Sequence, residues 1–436
     1  AGAGSLLYYN LHVANDFQTA WQDEQQRADY ALRYKPLAAL AQPRVSDVDL
    51  KVDISPEQRR LAVRGTYQLE NRSGRPVTDI MVNQDHRAAF KLRFSQPARR
   101  TIADRERGVY IYKLATPLAA GARIAMAFEL AYAPKGILGM GLDTPVVGNG
   151  TFFNKDVLPS IGYLRSAELE DARDRKRHGL PPRERMLARD DPQGRTNNYI
   201  SSDADWISFN AVVSTSPDQI AIAPGTLEKE WLDKGRRYFH YKMDKPILNF
   251  YAFQSARYEV RHDRWRDVTI DIYYHPAHDF NLDRIVRGVK ASLEYYSANY
   301  SPYQHKVVRV VEFPRYATFA QSYPGTIPYS ENIGFIAKVD DQDPKDIDYP
   351  FHVTAHEMAH QWWGHQLVGA NTRGATVLSE TLAEYSALMV MKKTMGPHKM
   401  RRFLRYDLDR YLMGRALENR KELPLAQNEN QDYIHY

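Results

Sequence analysis

Cysteine is absent from all 436 residues, which removes disulfides and thiolate metal ligands together. Any metal bound by this chain must be held by histidine and carboxylate. Also missing is a run of ~18–20 apolar residues, the length a membrane-spanning helix requires, and the N-terminus shows no signal-peptide pattern. Charge of one sign is scarce too: 59 basic against 53 acidic residues leave a net +6, with both signs interspersed. A nucleic-acid partner is therefore not indicated, and the excess supports no more than a weak attraction to anionic surfaces. With 43% hydrophobic and 26% charged residues the composition is that of a globular chain. Its length allows two or three cores at ~150 residues per domain.

Residues 1–43 form the first segment, a helical lead-in or connector in which Leu7, Leu11, Ala14 and Trp21 recur among polar neighbours, closing at Gln42-Pro43. The period then changes to two. Val48, Leu50, Val52 and Ile54 alternate with Asp47, Asp49, Lys51 and Asp53, and Leu61, Val63, Tyr67 and Leu69 with Arg64, Thr66, Gln68 and Glu70. This pattern predicts half-buried antiparallel strands and a β-sandwich-like domain over residues 44–260. A charge run from Glu168 to Arg177, followed by Pro181-Pro182, reads as a solvated helix and loop. Residues 261–436 mix strands and helices. Strands are expected at 268–273, 307–311 and 333–337, a Pro-, Gly- and Tyr-rich loop at 323–332, and helices at 281–298, around His356 and at 380–395. The expected class is multidomain α+β, a β-sandwich followed by an α/β domain.

Within the second domain stands His356-Glu357-Met358-Ala359-His360. On a helix, residues i and i+4 share a face, so both imidazoles reach one Zn²⁺ while Glu357 beside them serves as a general base. The third ligand has to be Asp, Glu or another His. Glu380, at the start of the next helix, is the choice, and Glu384 one turn on orients a histidine from behind. His352 and His365 flank the motif and are assigned hydrogen-bonding or rim roles.

The run His356-Glu357-x-x-His360-Gln361-Trp362-Trp363-Gly364, with Glu380 in Ser379-Glu380-Thr381-Leu382-Ala383-Glu384-Tyr385, resembles the gluzincin aminopeptidases of the aminopeptidase-N and leukotriene-hydrolase type. The spacing between His360 and Glu380 is one residue longer than usual in that family. The resemblance implies a saddle-like β domain and a thermolysin-like catalytic domain, truncated at its C-terminal end. It implies one zinc per chain and hydrolysis of the N-terminal peptide bond of peptides with a free N-terminus. Glu331 and Asn332, in Pro328-Tyr329-Ser330-Glu331-Asn332, answer to the family's Gly-x-Met-Glu-Asn exopeptidase motif with Gly and Met replaced. Glu331 would then anchor the substrate ammonium, and backbone groups around Gly325 would form the adjoining edge. Tyr436, rather than Tyr433, takes the place of the oxyanion-stabilising tyrosine, and Asn154 that of an amine-site residue from the β domain. In detail the chain looks most like bacterial peptidase domains fused to ABC-type transporter permease segments. That implies tethering to such segments and an extracytoplasmic, periplasmic location for the full-length protein, with this fragment soluble. A non-turnover peptide-binding or sensory domain of a transporter is the alternative reading.

Overall fold

The computed structural model describes residues 2–14, 17–135, 144–343, 346–417 and 421–429, and the chain divides into two compact units. The first comprises residues 1–184, 202–223 and 227–256; the second comprises 185–201, 224–226 and 257–436. The helical lead-in thus belongs to the first unit, and the loop at 185–201 belongs to the second. Among the described residues no helix is long and apolar enough to cross a membrane.

Sheets dominate the first unit. Arg44–Ser55 buries Val48, Leu50, Val52 and Ile54 on its inner face and lies at the centre of an eight-stranded sheet. It pairs antiparallel with Arg60–Glu70 but parallel with Ala204–Thr215. That parallel pair departs from the all-antiparallel expectation. The two strands are far apart in sequence, and a long crossover carrying further strands satisfies the parallel geometry. Side chains from the eight-stranded sheet, a four-stranded one (Tyr110, Tyr112) and a three-stranded one (Phe153, Phe253) meet in a single core. Inside it, Gly65 leaves no room for a side chain: a Cβ there would stand 2.7 Å from Leu50 Cδ2 and closer still to the Phe128 ring. Gly65→Ala is expected to destabilise this unit by about 1–3 kcal/mol through overpacking, read as a lowered thermal midpoint; an unchanged midpoint would show that the core yields freely.

The charge run folds as a short, largely exposed helix, Ala172–Arg177, but two of its charges are withdrawn from solvent. Arg175 is 1% exposed and Glu168 2%, and they pair at 3.1 Å beneath the lead-in helix Ala20–Tyr34. The helix is tied to the same segment by Arg27, whose guanidinium donates to the Glu168 carbonyl at 2.9 Å.

The second unit is built on strands β1 (Glu259–Trp265), β2 (Val268–Tyr274), β3 (Val307–Phe313) and β4 (Thr326–Ser330), in that order across the sheet. The last three run parallel. Helix α1 (Leu282–Asn299) makes the crossover from β2 to β3 and buries Ile285, Val289, Leu293 and Tyr296. Helices α2 (Tyr349–Ala359), α3 (Leu382–Met395) and α4 (Pro397–Leu417) follow. Two local expectations are corrected here. Thr326–Ser330, read as loop, is a strand, and 333–337 is turn rather than strand. All five residues of β4 are buried, so no alternation marks it, and Pro328 disguises it further.

Candidate metal centre

Helix α2 begins where the Asp348 side chain accepts the Phe351 amide. Asp348 also meets Arg284 of α1 at 2.9 Å. Phe351, Ala355, Met358 and Ala359 drive its apolar face into the core, and the Ala355 carbonyl accepts the Tyr296 hydroxyl at 2.9 Å. The opposite face is left to His356, Glu357 and His360. Before α3 the backbone makes a π-helical turn, Val377–Thr381. It carries Glu380 toward that face, a widened turn of the kind common at functional sites.

Three donor atoms converge. His356 Nε2 and His360 Nε2 are 3.1 Å apart, and each is 3.5 Å from Glu380 Oε2. A tetrahedral zinc with bonds of ~2.0–2.1 Å holds its ligands ~3.3–3.4 Å apart, so the side chains fit that ion. The second ring nitrogens agree. His360 Nδ1 donates to the Trp363 carbonyl at 3.0 Å and His356 Nδ1 to Glu384 Oε2 at 2.9 Å, which turns both Nε2 lone pairs inward. The site also attracts positive charge. Burial alone would depress His356, but the carboxylates of Glu380 and Glu384 outweigh it and raise its pKa well above the usual histidine range. Burial likewise would raise Glu380, and the two imidazoles hold it well below the carboxylate range instead.

Glu357 is 6% exposed. Burial raises its pKa, with the neighbouring imidazoles pulling the other way and a backbone hydrogen bond from Ser322 opposing in the same sense. Its Oε2 is buried and has no hydrogen-bond partner among the described residues. A carboxylate oxygen held in that state beside three residues that could hold a metal ion is able to take a proton.

The segment facing this machinery is Ser322–Gly325. Gln361, directly after His360, donates to Ser322 Oγ at 2.6 Å and to the Tyr323 carbonyl at 2.8 Å, and accepts the Gly325 amide at 2.9 Å. Gly325 has φ +64°, and an added Cβ would crowd the Val307 carbonyl at 3.1 Å. His365 meets the Ser322 carbonyl at 3.0 Å, and burial pushes its imidazole down to about 3. It stands apart from the metal-ligand group. Residues 319–323 fold back antiparallel on β4, with Ala320 opposite Tyr329 and Tyr323 opposite Thr326. The inward bonds come from Gln321 and Tyr323, which leaves the amide and carbonyl of Ala320 on the outer edge.

Glu331 is not brought to this group. It follows the far end of β4, ~17 Å along the strand from Gly325 at ~3.3 Å per residue. Its carboxylate lies with His278 and Glu312 and accepts the Arg315 amide at 3.2 Å. Asn332 accepts the Ser330 hydroxyl at 2.6 Å and donates to Thr318 Oγ1 at 3.2 Å, tying its loop to the one that precedes β4. Asn154, in the first unit, caps a short turn by accepting the Asp156 amide at 3.0 Å. Tyr436 and its alternative Tyr433 lie outside the described residues. Two residues near the site went unread in the sequence. Ser322 sits in a loop with no motif of its own. Tyr199 comes from 185–201, and its phenol is pushed up to about 12 by burial and by the charge of Glu380.

Residues 280–435 match the peptidase family M1 domain. No curated protein matches the chain. Among solved structures it is similar to the M1 zinc metallopeptidase from Deinococcus radiodurans, at 16% identity and a TM-score of 0.57, over 90% of this chain and 78% of that one. A variant of the Deinococcus radiodurans protein bound to a Tyr-Ser-Ala substrate matches at 15% identity and a TM-score of 0.56, over 89% and 78%. A two-domain M1 zinc metallopeptidase variant bound to L-tryptophan matches at 15% and 0.56, over 90% and 79%. The chain has the two-domain fold of an M1 metallopeptidase, and its residues 280–435 carry the match to the peptidase family M1 domain.

Proposed function

We propose that this chain is a zinc-dependent peptidase that acts as an aminopeptidase on peptides with a free N-terminus. The observation that carries the hydrolytic part is the convergence of His356, His360 and Glu380 within 3.1–3.5 Å, with Glu357 Oε2 alongside, without a hydrogen-bond partner among the described residues. When bound, one zinc held by these three residues supplies a Lewis acid that activates water and polarises the scissile carbonyl. Glu357 Oε2 takes the proton from the attacking water and returns it to the leaving amine nitrogen. Ser322 steadies the other side of that carboxylate, and Gln361 fixes Ser322 and Gly325 against the signature helix. An extended peptide lying along the outer edge at Ala320 would place its carbonyl beside the triad by strand addition. Tyr436 keeps the proposed role of oxyanion donor.

The N-terminal preference is supported by the domain match and by similar structures that hold a tripeptide and a free amino acid. With Glu331 in another cluster, recognition of the ammonium group rests on other residues, and substrate comparison decides it. Zinc content is measured together with hydrolysis of a panel of aminoacyl-anilides and their N-acetylated counterparts. Zinc-dependent release from the free-amine compounds alone is the expected result. Equal cleavage of the N-acetylated set would overturn the aminopeptidase reading while leaving the peptidase reading intact. Bound zinc with no turnover on any substrate would favour the peptide-binding alternative.

A further inference from the structure

We propose that His352 is a positioning residue for the metal ligand His356, acting through the carboxylate of Glu384; the inference rests on the reading of His356 as a zinc ligand. Glu384 stands between two imidazoles one turn apart on α2. Its Oε2 accepts from His356 Nδ1 at 2.9 Å, and its Oε1 lies 3.0 Å from His352 Nε2. His352 is itself immobilised. It is 5% exposed, its ring stacks on Phe403 at 3.9 Å between centroids, and its Nδ1 lies 3.1 Å from the sulfur of Met391. Phe403 belongs to α4, so that helix holds the ring by its face.

A carboxylate behind a ligating histidine fixes the ring's orientation and tautomer only as well as the carboxylate is itself held. A glutamate on α3 has three rotatable bonds, and a single contact to His356 leaves it free to swing. The contact from His352 reduces that freedom. Through Phe403, stacked on His352, α4 becomes part of the support of the metal site, although it contributes no ligand. His352 is thereby given a task that its place in the sequence, one turn before the zinc signature, left open.

The test measures zinc affinity of the full chain by competition with a chromophoric chelator, together with the melting temperature of the metal-free protein. His352→Phe keeps the stack on Phe403 and removes the nitrogen facing Glu384. It is expected to weaken zinc binding by about ten- to hundred-fold, with the metal-free melting temperature little changed. His352→Gln, which keeps an N–H donor, should recover most of the loss. In a Glu384→Gln background, His352→Phe should have no further effect, because the path to His356 is already broken. Wild-type zinc affinity in His352→Phe, or losses from His352→Phe and Glu384→Gln that multiply, would overturn the proposal. Should His352→Phe not fold, the same cycle run with His352→Leu decides it by the same criterion. None of these readings depends on peptide turnover, so a failure here is distinguishable from failure of the proposed activity.

Discussion

Glu357→Gln is expected to lower peptide hydrolysis by about 10²–10⁴-fold, the contribution of a positioned general base, while zinc content stays at the wild-type level. The side chain is buried against two imidazoles, and glutamine fills its volume without a new cavity. The amide oxygen still accepts from the Ser322 backbone, so the loop opposite the signature helix keeps its position. The metal-ligand set of His356, His360 and Glu380 is untouched. What would disappear is the one function proposed for it, the ability of Oε2 to hold a proton between the attacking water and the leaving amine. The measurement is kcat on a cleaved anilide beside the zinc-to-protein ratio. A variant that holds zinc and turns over at the wild-type rate would remove Glu357 from the mechanism. One that loses zinc would show instead that its charge holds the ion, which the geometry of the three ligands argues against.

The centre of this site was readable from the sequence because its chemistry is local. Two histidines at i and i+4 on an amphipathic stretch can only share a helix face, and the absence of cysteine narrowed the third ligand to a carboxylate or another histidine. Glu380 and Glu384 then follow from a second helix packed back on the first. The π turn at Val377–Thr381 was not readable, since a single inserted residue leaves no mark in hydrophobic periodicity. Lost for a related reason was the partner strand of the cleft. With Thr326–Ser330 buried on both faces, period two vanishes, and Gly325 and Pro328 look like loop punctuation. Once β4 is missed, the stretch at 319–323 bridged to it is missed with it, and Glu331-Asn332 becomes the only visible match to an exopeptidase motif. The structure shows that the residues meeting Glu357 and Gln361 lie earlier, at Ser322–Gly325. In the β domain, alternation identified the strands but could not say that Arg44–Ser55 pairs in parallel with Ala204–Thr215, because strand direction depends on connections far away in sequence.

The same gap between local pattern and distant contact explains the charge run, and it sets up the largest stability effect expected in the first unit. A dense mixture of Arg, Lys, Asp and Glu normally marks a solvated face, yet Arg175 and Glu168 are almost wholly enclosed. Arg175 Nη1 bonds Glu168 at 3.1 Å and the Leu169 carbonyl at 2.7 Å, and its Nε bonds the Pro181 carbonyl at 2.8 Å. Around the pair close Ala28 and Ala31 of the lead-in helix, with Leu169 and Leu180. Removing one partner strands the other charge in a site closed to water, at about 3–5 kcal/mol. Arg175→Met is therefore expected to lower the thermal midpoint of this unit by roughly 6–20 °C, at ~2–4 °C per kcal/mol for a domain of this size. The double variant Arg175→Met/Glu168→Leu removes the stranded carboxylate and should recover much of that loss, since well-packed apolar residues often replace a buried ion pair without penalty. A double variant no more stable than Arg175→Met would place the loss in the backbone hydrogen bonds to Leu169 and Pro181 rather than in the uncompensated charge. In either case the effect falls on the latch between the lead-in helix and the β domain. Zinc affinity, proposed to rest on His356, His360 and Glu380 of the other unit, should not move.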